Sequence, residues 1–257
     1  MNSGISDIIN SLTSARWKML STKVLNVKEL PTQGYFYPKD FEITIKKASF
    51  DDIILYNFNY IKNDLEVILT ETKRIIKNNT TFNGIYTYDD IKSNDLLFIF
   101  FEIVKFTMNK DILIPFEDLM GTSYAAFNSK NFNYFEYGSL GCEYNEVTRE
   151  FIKEGYRFSL PSVGAENCLI NYIYDTDMDE NEDNSYDFLF FLGNKNHLTT
   201  KEMTNLVSIF NEDMDEKEKE NITKIVKIIY PAIGYTLRIG NKIISLDLKI
   251  DFEKLFI

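Results

Sequence analysis

Leu96-Leu97-Phe98-Ile99-Phe100-Phe101-Glu102-Ile103-Val104-Lys105-Phe106 is the most apolar stretch of the chain. It is about half the length a membrane-spanning helix requires, and it contains Glu102 and Lys105. A helix apolar on nearly all of its faces has to be surrounded by other elements. The run therefore defines a buried central helix, about residues 95–108, with the rest of the chain packed around it. Thr87 and Asp90 supply a start signal upstream, a hydroxyl followed three residues later by a carboxylate.

Further upstream, Asn63 or Asp64 opens a helix with Leu65, Ile68, Leu69, Thr72, Ile75 and Ile76 along one side. Ser49 with Asp52 marks another, carrying Ile53, Ile54 and Tyr56. Phe41 to Ile45 alternates apolar and polar residues, the pattern of a half-buried strand. Before it lies Leu30-Pro31-Thr32-Gln33-Gly34-Tyr35-Phe36-Tyr37-Pro38. Its prolines restrict the backbone and Gly34 permits a positive φ, so it reads as a rigid turn with three rings, at least one buried against another part of the chain. At the start, Ile5, Ile8, Ile9 and Leu12 fall on one helical face ahead of Trp17, after which the pattern dissolves until Pro31.

Downstream, Ile112 to Phe158 shortens into irregular β structure rich in aromatics and glycines. Leu160-Pro161-Ser162-Val163-Gly164 echoes Leu30-Pro31-Thr32-Gln33-Gly34, although turns commonly reuse Pro and Gly. Residues 175–187 hold seven acids and no base and read as an exposed loop. Thr199 and Glu202 form a capping box for a helix with Met203, Leu206, Val207 and Phe210 on one face. A second helix carries Ile222, Ile225, Val226 and Ile229, and the two are expected as an antiparallel hairpin around an acidic connection, Glu212 to Glu220. Tyr235 to Ile239 and Lys242 to Leu248 flank Gly240-Asn241, a two-residue hairpin turn. The fold class is α+β: a helical body around the central helix, short antiparallel strands and a C-terminal β-hairpin. The division is an N-terminal arm over 1–29, a main domain over 30–174, the acidic loop over 175–187, and a helical plus β-hairpin unit over 188–257 packed on the main domain.

With 257 residues, 44% of them hydrophobic, a sizeable core is available. A net charge of −11 repels phosphate backbones, and no basic cluster is exceptional, so nucleic acid is disfavoured. Two cysteines, Cys142 and Cys168, make no disulfide framework and fit a reducing compartment. The first twenty residues lack the basic start and apolar run of a secretory signal.

The residues that commonly carry chemistry are sparse. His197 stands alone at a helix cap, no Gly-x-Ser-x-Gly elbow is present, and neither cysteine has metal-binding or redox CxxC spacing. The acidic loop fails as a calcium loop: starting at Asp175, the sixth position is Glu180 where Gly is needed and the twelfth is Tyr186 where Glu is needed. Phosphate-cradling glycine motifs are missing. Carboxylate pairs such as Asp51-Asp52 and Asp89-Asp90 sit at helix starts, where they suit the helix dipole. The sequence thus supplies no catalytic, cofactor-binding or metal-binding assignment.

The Leu30–Pro38 element, followed by the Phe41–Ile45 strand and a helix start, resembles the opening of a baseplate protein family of T-even-like contractile-tailed bacteriophages, whose members are associated with formation of the baseplate hub. Members commonly begin with Leu-Pro-Ser-x-Gly-x-x-Tyr-Pro, then a strand and a helix; Thr32 stands here in place of the Ser. The ending, Leu246 to Phe256, is similar to the family's apolar tail. Some relatives carry zinc-ribbon-like Cys pairs at their hairpins, whereas Gly240-Asn241 has no thiols and no zinc is inferred. The similarity is strongest over about fifteen residues.

The resemblance implies a structural, non-enzymatic component of the tail baseplate or hub. It would be made in the host cytoplasm and carried into the virion tail, contacting other tail proteins and copies of itself, with no nucleic acid and no membrane as partner. Ile5, Ile8, Ile9, Leu12, Trp17, Tyr35, Phe36 and Tyr37 are the candidate partner-binding residues. Alternatives are an assembly factor that leaves the finished hub, a carboxylate-based hydrolase, and a calcium-binding module at the acidic loop. Removal of residues 1–22 is expected to leave the body folded and to weaken incorporation.

Overall fold

A computed structural model describes residues 21–60, 64–118, 121–127, 140–176, 187–193, 195–229, 236–239 and 242–245. The fold is α+β, as expected, with helices and small antiparallel sheets. Its centre is helix α3 (Leu96–Met108). Every residue of α3 from Leu96 to Val104 is buried, including Glu102. The helix stops at Asn109, which takes the left-handed conformation and closes the C-terminus.

One sheet lies against α3. Strand β2 (Ile43–Lys46) is its middle strand, between β1 (Thr22–Leu25) and β3 (Thr80–Phe82). Ile43 and Ile45 are fully buried while Thr44 between them is only half-buried, the alternation a strand requires. Strand β1 corrects the expected arm over 1–29, because residues 22–29 belong to the folded body. Lys23 on β1 donates to Glu102 Oε2 at 2.5 Å, which accounts for a carboxylate inside an apolar helix. Residues 1–20, with the candidates Ile5, Ile8, Ile9, Leu12 and Trp17, lie outside the described residues.

Helices α1 (Phe50–Tyr60) and α2 (Leu65–Asn79) flank the same core. Ser49 and Asp52 cap α1 reciprocally, each backbone N–H donating to the other's side chain. Asp64 caps α2 by accepting from Glu66 N and Val67 N. The Asp52 carboxylate also joins the two helices. Its Oδ1 accepts from Arg74 Nη1 at 2.6 Å and from Asn78 Nδ2 at 3.2 Å, and its Oδ2 accepts from Asn79 Nδ2 at 3.1 Å. Burial alone raises its pKa, but the hydrogen bonds from Asn79, Asn78, Arg74 and Ser49 outweigh burial and hold it well below the usual carboxylate range.

Beyond α3 come a hairpin, β4 (Leu113–Asp118) with β5 (Gly121–Ala126), and a meander, β6 (Glu143–Asn145), β7 (Glu150–Lys153) and β8 (Tyr156–Phe158). These strands fall within the region read as irregular β structure. The chain then enters helix α4 (Val163–Thr176), which the sequence reading did not anticipate. Ser162 starts it, its Oγ accepting from Ala165 N. Helix α5 (Thr200–Ser208) begins with the expected Thr199–Glu202 capping box and runs on as a π-helical turn over Ile209–Asp213. Helix α6 (Glu216–Ile229) starts immediately afterwards, with Asp215 Oδ1 accepting from Glu218 N. The connection expected over 212–220 is therefore mostly helical, and only Met214 and Asp215 separate the two segments. Strands β9 (Thr236–Ile239) and β10 (Lys242–Ser245) pair antiparallel with Ile239 opposite Lys242, the expected register for two connecting residues.

The buried side chains form two clusters. The first gathers β1–β3, α1–α4 and Phe127 around Phe98 to Val104. The second joins Phe151 and Phe158 of the meander, Leu169 of α4, Phe188 to Phe190, Met203 of α5 and Ile222 to Ile229 of α6. It spans the acidic segment in sequence, so residues 188–229 pack on the residues before that segment. Residues 177–186, the heart of the acidic loop, lie outside the described residues. No helix among the described residues is long and apolar enough to cross a membrane.

Two substitutions probe these contacts. Phe101→Ala is expected to cost about 3–5 kcal/mol by leaving a cavity in the first cluster, seen as a lower urea midpoint. Asp52→Ala is expected to cost on the order of 2 kcal/mol at pH 7 by removing the acceptor shared by Arg74, Asn78 and Asn79. Because the folded-state pKa of Asp52 is depressed, its contribution is present above the ordinary carboxylate pKa and fades as pH falls through the folded value. The gap between Asp52→Ala and the parent protein should therefore shrink in acid unfolding.

Candidate functional site

The Leu30–Pro38 turn joins the two clusters. Gln33 and Gly34, the central residues of the Thr32–Tyr35 turn, have φ of 54° and 77°. Tyr35 N donates to Thr32 O at 3.2 Å and Tyr37 N donates to Gly34 O at 3.2 Å. This tight winding sends successive rings in opposite directions. Phe36, 2% exposed, enters the second cluster beside Phe151, and Tyr37, 4% exposed, enters the first and stacks on Phe41 at 4.4 Å. Tyr35 is half-buried, edge-on to Tyr144 and Phe151. The expectation of a buried ring holds. As partner-binding candidates, however, Phe36 and Tyr37 are corrected: both are covered by the chain's own interior.

The segment Ile91–Asp95 passes between this turn and the Leu160–Gly164 turn. On one side, Asp95 Oδ1 accepts from Thr32 N at 3.0 Å, while Oδ2 accepts from Thr32 Oγ1 and from Tyr37 Oη, each at 2.7 Å. Tyr37 Oη accepts in turn from Lys92 N at 2.9 Å. On the other side, Ser93 N donates to Pro161 O at 3.1 Å and Val163 N donates to Ile91 O at 2.8 Å. The two echoing Leu-Pro elements thus grip opposite sides of one segment. Asp95 stands at the N-terminus of α3 yet makes no cap bond to it, because both oxygens are engaged by the turn.

A recess of about 280 Å³ opens beside this junction. Tyr37, Phe41 and Tyr86 provide aromatic wall, with Tyr86 edge-on to Phe41 at 5.1 Å; Lys92, Arg149, Asp90 and Asn196 provide polar wall. Each polar group is held by local structure. Arg149 closes the Asn145–Arg149 turn at φ 57°, its N–H donating to Asn145 O at 2.8 Å. Asp90 belongs to a capping box, its Oδ2 accepting from Thr87 N and Oγ1. Asn196 Nδ2 donates to Asp90 Oδ1 at 2.6 Å. Asn196 reaches that position because Gly164 has no side chain: a Cβ there would lie 2.2 Å from Asn196 O and 2.9 Å from Asp89 Cβ.

Burial dominates the electrostatics. Lys92, 2% exposed, has its pKa pushed down to about 7 by desolvation, then by the Arg149 guanidinium, against the smaller opposing pull of Asp95 and Asp90. Asp95 is pushed up to about 6 by burial, which its hydrogen bonds from Tyr37 and Thr32 only partly offset. Tyr37 is raised far above its ordinary value by burial and by the neighbouring Asp95. The recess therefore places an ammonium that titrates near neutrality beside a guanidinium.

The remaining reactive residue types lie elsewhere. His197 is exposed. Cys142 and Cys168 are half-buried free thiols directed to the carbonyls of Leu140 and Leu198. Among the described residues no group of three or more His, Cys, Asp or Glu is placed to hold a metal ion. Lys92, Asp95, Arg149 and Asn196 were not singled out from the sequence. The one available signal was the charge in Ile91-Lys92-Ser93, wedged between a capping pair and the most apolar helix. Other surfaces carry apolar groups: Phe50 on α1 is 75% exposed, and Leu113 and Tyr124 share one face of the β4–β5 hairpin at 59% and 65%.

No family model, curated protein or solved structure matches the chain.

The folded-state pKa of Lys92 lies below its unfolded value, so between about pH 7 and the ordinary lysine range the unfolded chain binds the extra proton. Stability should therefore rise with pH from 7 towards 9, with a slope from this group of at most about 1.4 kcal/mol per pH unit. Lys92→Met should flatten that rise in urea titrations; an unchanged slope would contradict the assignment. Gly164→Ala should lower the urea midpoint by driving the 196 loop away from Asp89 and Asp90.

Proposed function

We propose that this chain is a structural component of a contractile phage tail baseplate or its hub and acts through protein–protein contacts, without catalysis. The observation that carries the reading is the Leu30–Pro38 element with a strand and then a helix behind it, the order the family resemblance implies. In the structure this order runs from the turn to β2 and then α1. Thr32, which stands in place of the family's Ser, contributes the hydroxyl that donates to Asp95. A Ser would supply the same donor, which gives the hydroxyl at that position a physical reason.

Contact as the mode of action is supported by the apolar side chains left in solvent. Leu113 and Tyr124 on one face of the β4–β5 hairpin, with Phe50 and Ile54 one turn apart on α1, are large groups that neighbouring subunits would cover. The alternative role, a factor that helps the hub form and then departs, uses the same surfaces.

Quantitative mass spectrometry of purified tails tests the reading. The chain is expected at a fixed stoichiometry with the baseplate proteins. Presence only in the unassembled fraction would favour the departing factor, and normal tails formed without the chain would exclude both roles. Leu113→Glu with Tyr124→Glu should leave the melting temperature of the isolated chain within a few degrees while reducing incorporation several-fold. Deleting residues 1–20, which spares β1, is likewise expected to preserve the fold and to weaken incorporation.

A further inference from the structure

We propose that the recess between the two clusters is a receptor site for a carboxylate that carries an adjacent N–H or O–H donor. Lys92 gives the first reason. Its side chain lines the recess at 2% exposure, and its ammonium makes no hydrogen bond or ion pair among the described residues. A desolvated ammonium without a partner is costly, and an anion arriving through the recess would remove that cost.

The neighbouring acids are already engaged. Asp90 accepts from Thr87 on one oxygen and from Asn196 on the other. Asp95 accepts from Thr32 on both oxygens and from Tyr37 on one of them. Arg149, which also lines the recess, adds a guanidinium whose fork suits a carboxylate. Its charge disfavours the charged form of Lys92, and an anion between the two would turn that repulsion into two attractions.

Asn196 specifies the rest of the ligand. Asp90 can only accept, so the amide nitrogen faces Asp90 and the orientation of the amide is fixed. Oδ1 is then shielded from solvent with no donor among the described residues. A ligand N–H or O–H next to the carboxylate would satisfy it. Tyr37, Phe41 and Tyr86 offer flat apolar wall for the remainder of the ligand. With two cationic groups and one anionic group in the lining, a singly charged carboxylate balances the recess better than a doubly charged anion such as sulfate. Two sources share this chemistry: a small amino or hydroxy acid, and the free C-terminus of a polypeptide.

The inference does not rest on the baseplate reading, because binding is measured on the isolated full-length chain. Calorimetric titration at pH 6 would use N-acetylglycine, N-acetylglycinamide and inorganic sulfate as probes. N-acetylglycine should bind saturably, with the amide and sulfate at least about tenfold weaker. Lys92→Met and Arg149→Met should each weaken N-acetylglycine by about tenfold or more, and Asn196→Ala should weaken it while sparing acetate. Arg149 is only half-buried, so Arg149→Met keeps the test open if Lys92→Met does not fold. Equal binding of acid and amide, preference for sulfate, or affinity unchanged in folded variants would each overturn the proposal. Tetraglycine binding as tightly as N-acetylglycine would identify a polypeptide end as the ligand, and loss of binding on extension would identify a small free acid; both outcomes uphold carboxylate recognition.

Discussion

The Asp95 carboxylate is the constraint on which the rest of the structure depends. It is buried at the head of the central helix and accepts three hydrogen bonds, all from the Leu30–Pro38 turn. A carboxylate in that position is tolerable only with its acceptor capacity used, and the turn is rigid enough to present two donors from Thr32 and one from Tyr37 in fixed directions. The same phenol receives the Lys92 amide. Once these bonds close, the side-chain order of the turn is set: Phe36 faces one hydrophobic cluster and Tyr37 the other.

The seam between the clusters follows from that arrangement. Two Leu-Pro elements, at 30–34 and 160–164, approach the 91–95 segment from opposite sides, one through side-chain bonds to Asp95 and the other through backbone bonds at Ile91 and Ser93. Packing at the seam is close enough that Gly164 cannot carry a Cβ, and there the Asn196 and Asp90 side chains meet. Lys92 and Arg149 lie on the walls of the recess the seam leaves open, with aromatic rings beside them.

The sequence showed most of the elements because their signals are local. The apolar run at 96–106, the Ser49–Asp52, Asp64 and Thr199–Glu202 caps, and the Gly240-Asn241 spacing each depend on a few neighbouring residues. Strand β1 escaped notice because Val24 is exposed at an edge and Leu25 alone turns inward, leaving no period to detect. Helix α4 was hidden by its opening, since Pro161, Ser162 and Gly164 are the residues of a turn as well as of a helix start. Gly164 is there for a close approach between segments, which no one-dimensional pattern encodes. The recess was illegible for the same reason: Lys92, Arg149 and Asn196 come from three distant segments and meet only through the seam.

The distribution of the first cluster along the chain has a consequence for how the molecule forms. Apart from Val163, its buried members run from Leu25 to Phe127, so this half needs little sequence beyond the β4–β5 hairpin. The second cluster draws on Phe36 but otherwise begins at Phe151 and extends to Ile229. On a ribosome the amino-terminal half can condense first, holding Phe36 exposed until the later segments emerge. The closures at Pro161 and Asn196 require those later segments, because they join them to Ser93 and Asp90. The recess is therefore complete only when both halves are in place.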